Sequence, residues 1–127
     1  MSDSWKVLIV EDDEVLVKMY RKKFEALGWE VDVARNGKEG LVKIKSFRPT
    51  VVLMDIMMPE MDGMTALQQA KADPEIKDTH IIMLTNLSTA DDAVEAMKCG
   101  ALDYMVKSDY TPSQVVEKVK KVLESKM

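Results

Sequence analysis

Glu11, Asp12 and Asp13 stand together near the start of the chain. Asp55 stands alone within VVLMDIMMPEMDG, Thr85 closes HIIMLT, and Lys107 closes LDYMVK. A lone carboxylate at the end of an apolar run is costly unless something offsets its charge. Asp13 by itself fits the capping of a helix. The set as a whole does not, because clustered carboxylates repel unless a cation or a proton joins them. Glu11, Asp12 and Asp55 carry three negative charges, which one divalent cation together with Lys107 would neutralise. Hard oxygen donors in small number, with room left for water, suit magnesium, whereas softer metals want imidazole or thiolate. Phosphoryl transfer needs in-line positioning and positive charge more than covalent machinery, so a carboxylate, a metal, an amine and a hydroxyl suffice. Asp55 is the candidate nucleophile, with Glu11 and Asp12 holding the metal beside it.

These residues can meet only if the chain folds in a particular way, and the periodicity of apolar residues supplies one. KVLIV (Lys6 to Val10) is a short buried-type strand. Val17, Tyr20, Phe24 and Leu27 then recur at helical spacing, with Asp13 as a cap and Gly28 as a left-handed stop. EVDVA is a second strand and Asn36-Gly37 a turn. A second helix through Leu41, Ile44 and Phe47 ends before Pro49. TVVLMD is the third strand, Met64, Leu67 and Ala70 mark a third helix, and HIIMLT is the fourth strand. Ala93, Val94 and Met97 belong to a fourth helix closed by Gly100, and LDYMV is the fifth strand. The last helix opens on Thr111-Pro112-Ser113-Gln114, which reads as a capping box with proline at the first helical position. Five strands alternating with five helices predict an α/β fold, a doubly wound open parallel sheet covered on both faces. Ligands bind such sheets outside the carboxyl ends of the strands, where the chemically capable residues fall.

The 127 residues allow one domain, 1–127, with a core of its own. Hydrophobic residues make up 46% and charged residues 31%, so neither disorder nor a membrane span is indicated. The acidic start MSDSWK lacks the features of a secretory signal, which points to a cytoplasmic location. Cys99 and His80 are single, so an internal disulfide is excluded and a zinc site has no ligands; Cys99 reads as a small core residue. The net charge of −4 argues against direct DNA binding. The clusters Arg21-Lys22-Lys23 and Lys118 to Lys121 read as solvated helix faces.

VLIVEDD, VVLMDIMMPEMDG, IIMLT and DYMVK, in that order and each at a strand end, resemble the receiver domain of the two-component response-regulator family. The resemblance runs from Lys6 to the last helix. It implies a flavodoxin-like sheet of order 2-1-3-4-5, as in stand-alone CheY-like receivers, and it implies that Asp55 accepts a phosphoryl group from a sensor histidine kinase with Mg2+. Asp12 would bind the metal directly, Glu11 directly or through water, and Asp55 itself and the backbone carbonyl of Met57 would be further ligands. Thr85 would hydrogen-bond the phosphoryl oxygens and Lys107 pair with them. Tyr104 matches the switch aromatic that turns inward with Thr85, changing the surface formed by the fourth helix, fifth strand and fifth helix. Apart from self-phosphorylation and self-dephosphorylation, no enzymatic turnover is implied. The partner on the output side is a downstream target protein, or a histidine phosphotransfer protein if the chain is a relay intermediate.

Two positions depart from the family pattern. Ser108 stands where a proline, often with a cis peptide bond, is usual, and Asn86 follows Thr85 where a small residue is common. Asn86 is expected to cover the phosphoryl group in part or to lend it a hydrogen bond. Three other readings use the same residues. Glu11-x-Asp13 faintly resembles the motif of haloacid-dehalogenase-type phosphohydrolases, the architecture suits a flavodoxin-like electron carrier, and a receiver that has lost phosphorylation would serve as a binding module. The acidic segment after the first strand disfavours a flavin phosphate, which needs backbone donors there. The native-looking start and the terminal helix ending Glu124 to Met127 suggest a stand-alone chain.

Overall fold

The computed structural model describes residues 5–87 and 89–126. The readings that rest on the first four residues and on Met127 fall outside them. Strands β1 (Lys6–Val10), β2 (Glu30–Ala34), β3 (Val51–Met54), β4 (His80–Thr85) and β5 (Asp103–Val106) alternate with helices α1 (Glu14–Ala26), α2 (Gly37–Phe47), α3 (Gly63–Ala72), α4 (Ala90–Lys98) and α5 (Pro112–Lys126). The sheet is parallel throughout, with order β2-β1-β3-β4-β5. This is the flavodoxin-like topology expected from the sequence.

Helices cover both faces of the sheet, so β3 is buried along its whole length and β1 and β4 at every residue but the first. On one side Val7, Ile9, Leu53, Ile82 and Leu84 pack with Val17, Tyr20 and Phe24 of α1 and Val115, Val119 and Leu123 of α5. On the other, Leu8, Val10, Val52, Met54, Ile81 and Met83 pack with Ile44, Leu67, Ala70 and Ala96 of α2, α3 and α4. Both cores fix the strands in register, and therefore fix which residues emerge together at the carboxyl edge.

Several local expectations hold. Asp13 caps α1 by accepting from the amides of Val15 and Leu16, and Gly28 takes φ 85° after the helix. Thr111 and Gln114 form the reciprocal capping box of α5, at 2.9 and 3.2 Å. Other details differ. Asn36-Gly37 is not a separate turn, because Asn36 caps α2 by accepting from Glu39 N and Gly37 is the first helical residue. The strand TVVLMD shortens to Val51–Met54, and Leu102 precedes β5. Cys99 is the half-buried C-cap of α4 rather than a core residue, its thiol 3.6 Å from Glu95 Oε1. The backbone contains no cis peptide among the described residues, so the Lys107–Ser108 bond is trans and opens a 3₁₀ turn over Lys107–Asp109.

Candidate functional site

At the carboxyl edge, β1 runs out at Val10 and delivers Glu11 and Asp12, and β3 delivers Asp55, whose amide donates to the Val10 carbonyl at 3.0 Å. That bond between neighbouring strands carries the first and third strand ends to one spot. One carboxylate oxygen from each of Glu11, Asp12 and Asp55 lies within 4.8 Å of the others. Glu11 and Asp55 are buried at 3% and 7% exposure, while Asp12 faces solvent.

The amine comes from the end of β5. Lys107 Nζ donates to Asp55 Oδ2 at 2.9 Å and also to Glu11 Oε1, inside the same nearly dry space. The other oxygen of Asp55 accepts from Ile56 N at 2.7 Å and, more weakly, from Met57 N at 3.4 Å. Burial pushes the Glu11 carboxyl up from 4.5 to about 7; Lys107 pulls it down and the Asp55 charge adds to the rise. Burial works against the Lys107 ammonium as well, but its bonds to Glu11 and Asp55 outweigh that and raise its pKa. Two buried carboxylates around one lysine leave the site short of positive charge, to be supplied by a proton on Glu11 or by a cation.

The donor set fits a hard divalent ion: carboxylate oxygens only, two of them buried and one open to water. Beside Asp12 an open depression of about 450 Å³, lined by Ile56, Met57, Met58, Pro59 and Asp62, leaves room for water and for a phosphodonor. Met57, whose carbonyl the family resemblance implies as a further ligand, borders it and is 62% exposed. Gly63 is what lets the loop close over this spot. A Cβ there would lie 2.0 Å from the Asp55 carbonyl oxygen.

Thr85 is fully buried at the end of β4, and its Oγ1 accepts from Leu87 N at 3.4 Å. Tyr104, half-buried on β5, donates its hydroxyl to the Leu87 carbonyl at 2.7 Å. Asn86, between them in sequence, is exposed. Tyr20 was legible only as part of the α1 stripe, yet it lines a narrow cleft beneath the site with Glu11, Asp55 and Leu84, too tight to admit a water molecule. In the Glu11-x-Asp13-x-Val15 motif of the phosphohydrolase reading the nucleophile would be Glu11, which Lys107 holds here, while Asp13 caps α1.

Comparison with known proteins agrees with this geometry. Residues 7–120 match the family model for the response regulator receiver domain. The chain is 40% identical over 119 residues to the chemotaxis protein CheY of Thermotoga maritima, covering 92% of this chain and 96% of that one. It is also 40% identical over 102 residues to the regulatory protein AtoC of Escherichia coli, but spans only 22% of that protein's length. It spans 47% of a probable transcriptional regulator ycf27 of Porphyra purpurea. Among solved structures, a CheY-like receiver domain protein of Methanospirillum hungatei superposes with a TM-score of 0.86 at 30% identity, covering 96% of this chain and 95% of that one. CheY4 of Vibrio cholerae superposes with 0.85 at 28% identity, over 94% and 98% of the two chains. The chain belongs to the response regulator receiver domain family.

Proposed function

We propose that the protein is a phosphoacceptor whose Asp55 takes a phosphoryl group from a histidine kinase with Mg2+ bound at Glu11, Asp12, Asp55 itself and the Met57 carbonyl. The observation that carries this reading is the meeting of Asp55 with Glu11, Asp12 and Lys107 at one strand edge. In the transfer, a carboxylate oxygen of Asp55 attacks phosphorus. The P–N bond of the donor phosphohistidine breaks, a P–O bond forms, and the histidine nitrogen leaves with its electron pair and gains a proton. The metal supplies positive charge to the phosphoryl oxygens.

Lys107 already touches Asp55 and needs only to follow the new charge, exchanging a carboxylate oxygen for a phosphoryl oxygen. Among the described residues, Thr85 Oγ1 is held by the long bond from Leu87 N, which it gives up in turning its hydroxyl to the phosphoryl group. Leu87 also holds the Tyr104 hydroxyl, so movement of Thr85 reaches the surface of α4, β5 and α5. Asn86 follows Thr85 and is exposed; in this reading it shields the phosphoryl group in part or lends it a hydrogen bond, and so alters its lifetime. The output is docking of a target protein on that surface, with onward transfer to a histidine phosphotransfer protein as the second reading.

The test is transfer from a phosphorylated histidine kinase. Label should move to the wild type in the presence of Mg2+ and not to Asp55→Asn. Label on Asp55→Asn would remove Asp55 from this role.

A further inference from the structure

The loop between β3 and α3 is strained at one residue. Met61 N donates to the Pro59 carbonyl at 2.7 Å, closing a three-residue turn whose central residue, Glu60, has φ 65°. This sign of φ belongs to the rarer, strained form of the γ-turn. Backbone freedom alone would favour glycine at such a position. Glutamate has a side chain to contribute, and Asn36 Nδ2 donates to Glu60 Oε2 at 2.8 Å.

Asn36 holds two elements at once. Its Oδ1 accepts from Glu39 N at 2.9 Å as the α2 cap, and this fixes the orientation of the amide, because only oxygen can accept there. Its Nδ2 is then aimed at Glu60. One residue on, Gly37 N donates to the Met61 carbonyl at 2.9 Å, and a Cβ on Gly37 would lie 2.7 Å from that oxygen. The start of α2 therefore grips successive residues of the loop, one by side chain and one by backbone. At the far side of the loop, Gly63 N donates to the Ile56 carbonyl at 2.8 Å, tying it back to the residue after Asp55.

We infer that the Asn36–Glu60 hydrogen bond positions the metal-binding loop, so that two residues outside the acidic site set how well that site holds a divalent cation. The inference rests on the reading of the site as a Mg2+-assisted phosphoacceptor. Its physical content is preorganisation. Met57, whose carbonyl faces the metal in that reading, lies three residues before Glu60, and a loop free to relax at Glu60 must be reordered each time the ion binds. Asn36 and Glu60 are positioning residues here, since neither touches the reacting atoms.

The test uses the full chain and isothermal titration with MgCl2, together with NMR spectra of the Met57, Met58, Glu60 and Met61 amides in EDTA. Asn36→Asp keeps an oxygen for the Glu39 amide and is as good a cap, but it loses the Nδ2 donor and sets a carboxylate against Glu60. Glu60→Ala removes the acceptor, while Glu60→Gln retains one. The expected result is a Mg2+ dissociation constant raised about three- to tenfold in Asn36→Asp and Glu60→Ala. Both variants should show shifted or broadened loop amides, and Glu60→Gln should stay near the wild type. Wild-type affinity and unchanged loop spectra in Asn36→Asp and Glu60→Ala would overturn the inference alone. Absence of Mg2+ binding by the wild type would overturn the underlying reading with it.

Discussion

Thr85 and Tyr104 meet on opposite sides of one residue: Leu87 gives its amide to Thr85 Oγ1 and accepts the Tyr104 hydroxyl on its carbonyl. A displacement of Thr85 toward a new phosphoryl group must loosen the first bond and shift the peptide that holds the second. Tyr104→Phe keeps the ring and deletes the second bond. It should cost about 0.5–1.5 kcal/mol in urea denaturation and leave the rate of phosphoryl gain within about twofold, since the Tyr104 hydroxyl bonds to Leu87 and not to Asp55. A tenfold fall in that rate would mean the tyrosine belongs to the reacting site.

Removing the amine should expose the repulsion it suppresses. In Lys107→Ala, Glu11 and Asp55 face each other with no cation between them, and breaking such a buried pair costs on the order of 3–5 kcal/mol. The loss should be largest at pH 8 in EDTA. Saturating Mg2+ should restore a substantial part of it, because a cation bound to the folded state alone stabilises that state. Urea midpoints with and without metal measure both effects, and a variant as stable as the wild type would show that the carboxylates do not strain the fold.

Burial outweighs the Lys107 ion pair at Glu11, so its raised pKa makes stability depend on pH in a direction opposite to that of an acid whose pKa is lowered. With an ordinary value of 4.5 unfolded and about 7 folded, the folded state binds more protons across that window, so stability falls as pH rises from about 4.5 to about 7. The stabilising contribution is fully present below the lower value and is lost through the upper one. Because metal binding requires the ionised carboxylate, Mg2+ affinity should climb between pH 6 and pH 8 and then level off. Urea denaturation in EDTA and Mg2+ titrations across that range measure the two slopes, and flat curves in both would place the Glu11 pKa in the usual carboxylate range.

Much of this site was legible in the sequence because its residues stand at strand ends, and strand ends are marked by where apolar runs stop. Parallel pairing in the order the family resemblance implies then brings residues 11, 55 and 107 together and ends β4 at Thr85 on the same edge. The contacts made by ordinary-looking residues were not legible. Asn36-Gly37 has the composition of a turn, and only the approach of Met61 shows it to be a cap that grips a loop. Tyr20 sits in a helical stripe that any apolar residue could fill. Cys99 follows an amphipathic helix, and its half-buried place at the helix end depends on α3 packing nearby, as its 3.8 Å approach to Gln68 shows. The Ser108 peptide was undecidable from local chemistry until the backbone showed it trans.

Gly63 gives the most local prediction. A methyl group there would collide with the Asp55 carbonyl, 2.0 Å from the Cβ position, and neither backbone segment can move without disturbing β3. Gly63→Ala should lower stability by more than about 2 kcal/mol and abolish phosphoryl gain. Thermal denaturation of the purified variant checks the first expectation. A stable Gly63→Ala protein would mean that the loop can open without cost.

The central claim is that Asp55 sits at the end of a buried strand to receive phosphate, with a metal and Lys107 sharing its charge. Intact-protein mass after incubation with acetyl phosphate tests it most directly, with Mg2+ or EDTA, on the wild type and on Asp55→Ala. The wild type should gain one phosphoryl mass only with Mg2+, and the gain should disappear in the variant. No gain in the wild type, or a gain that persists without Asp55, would contradict it.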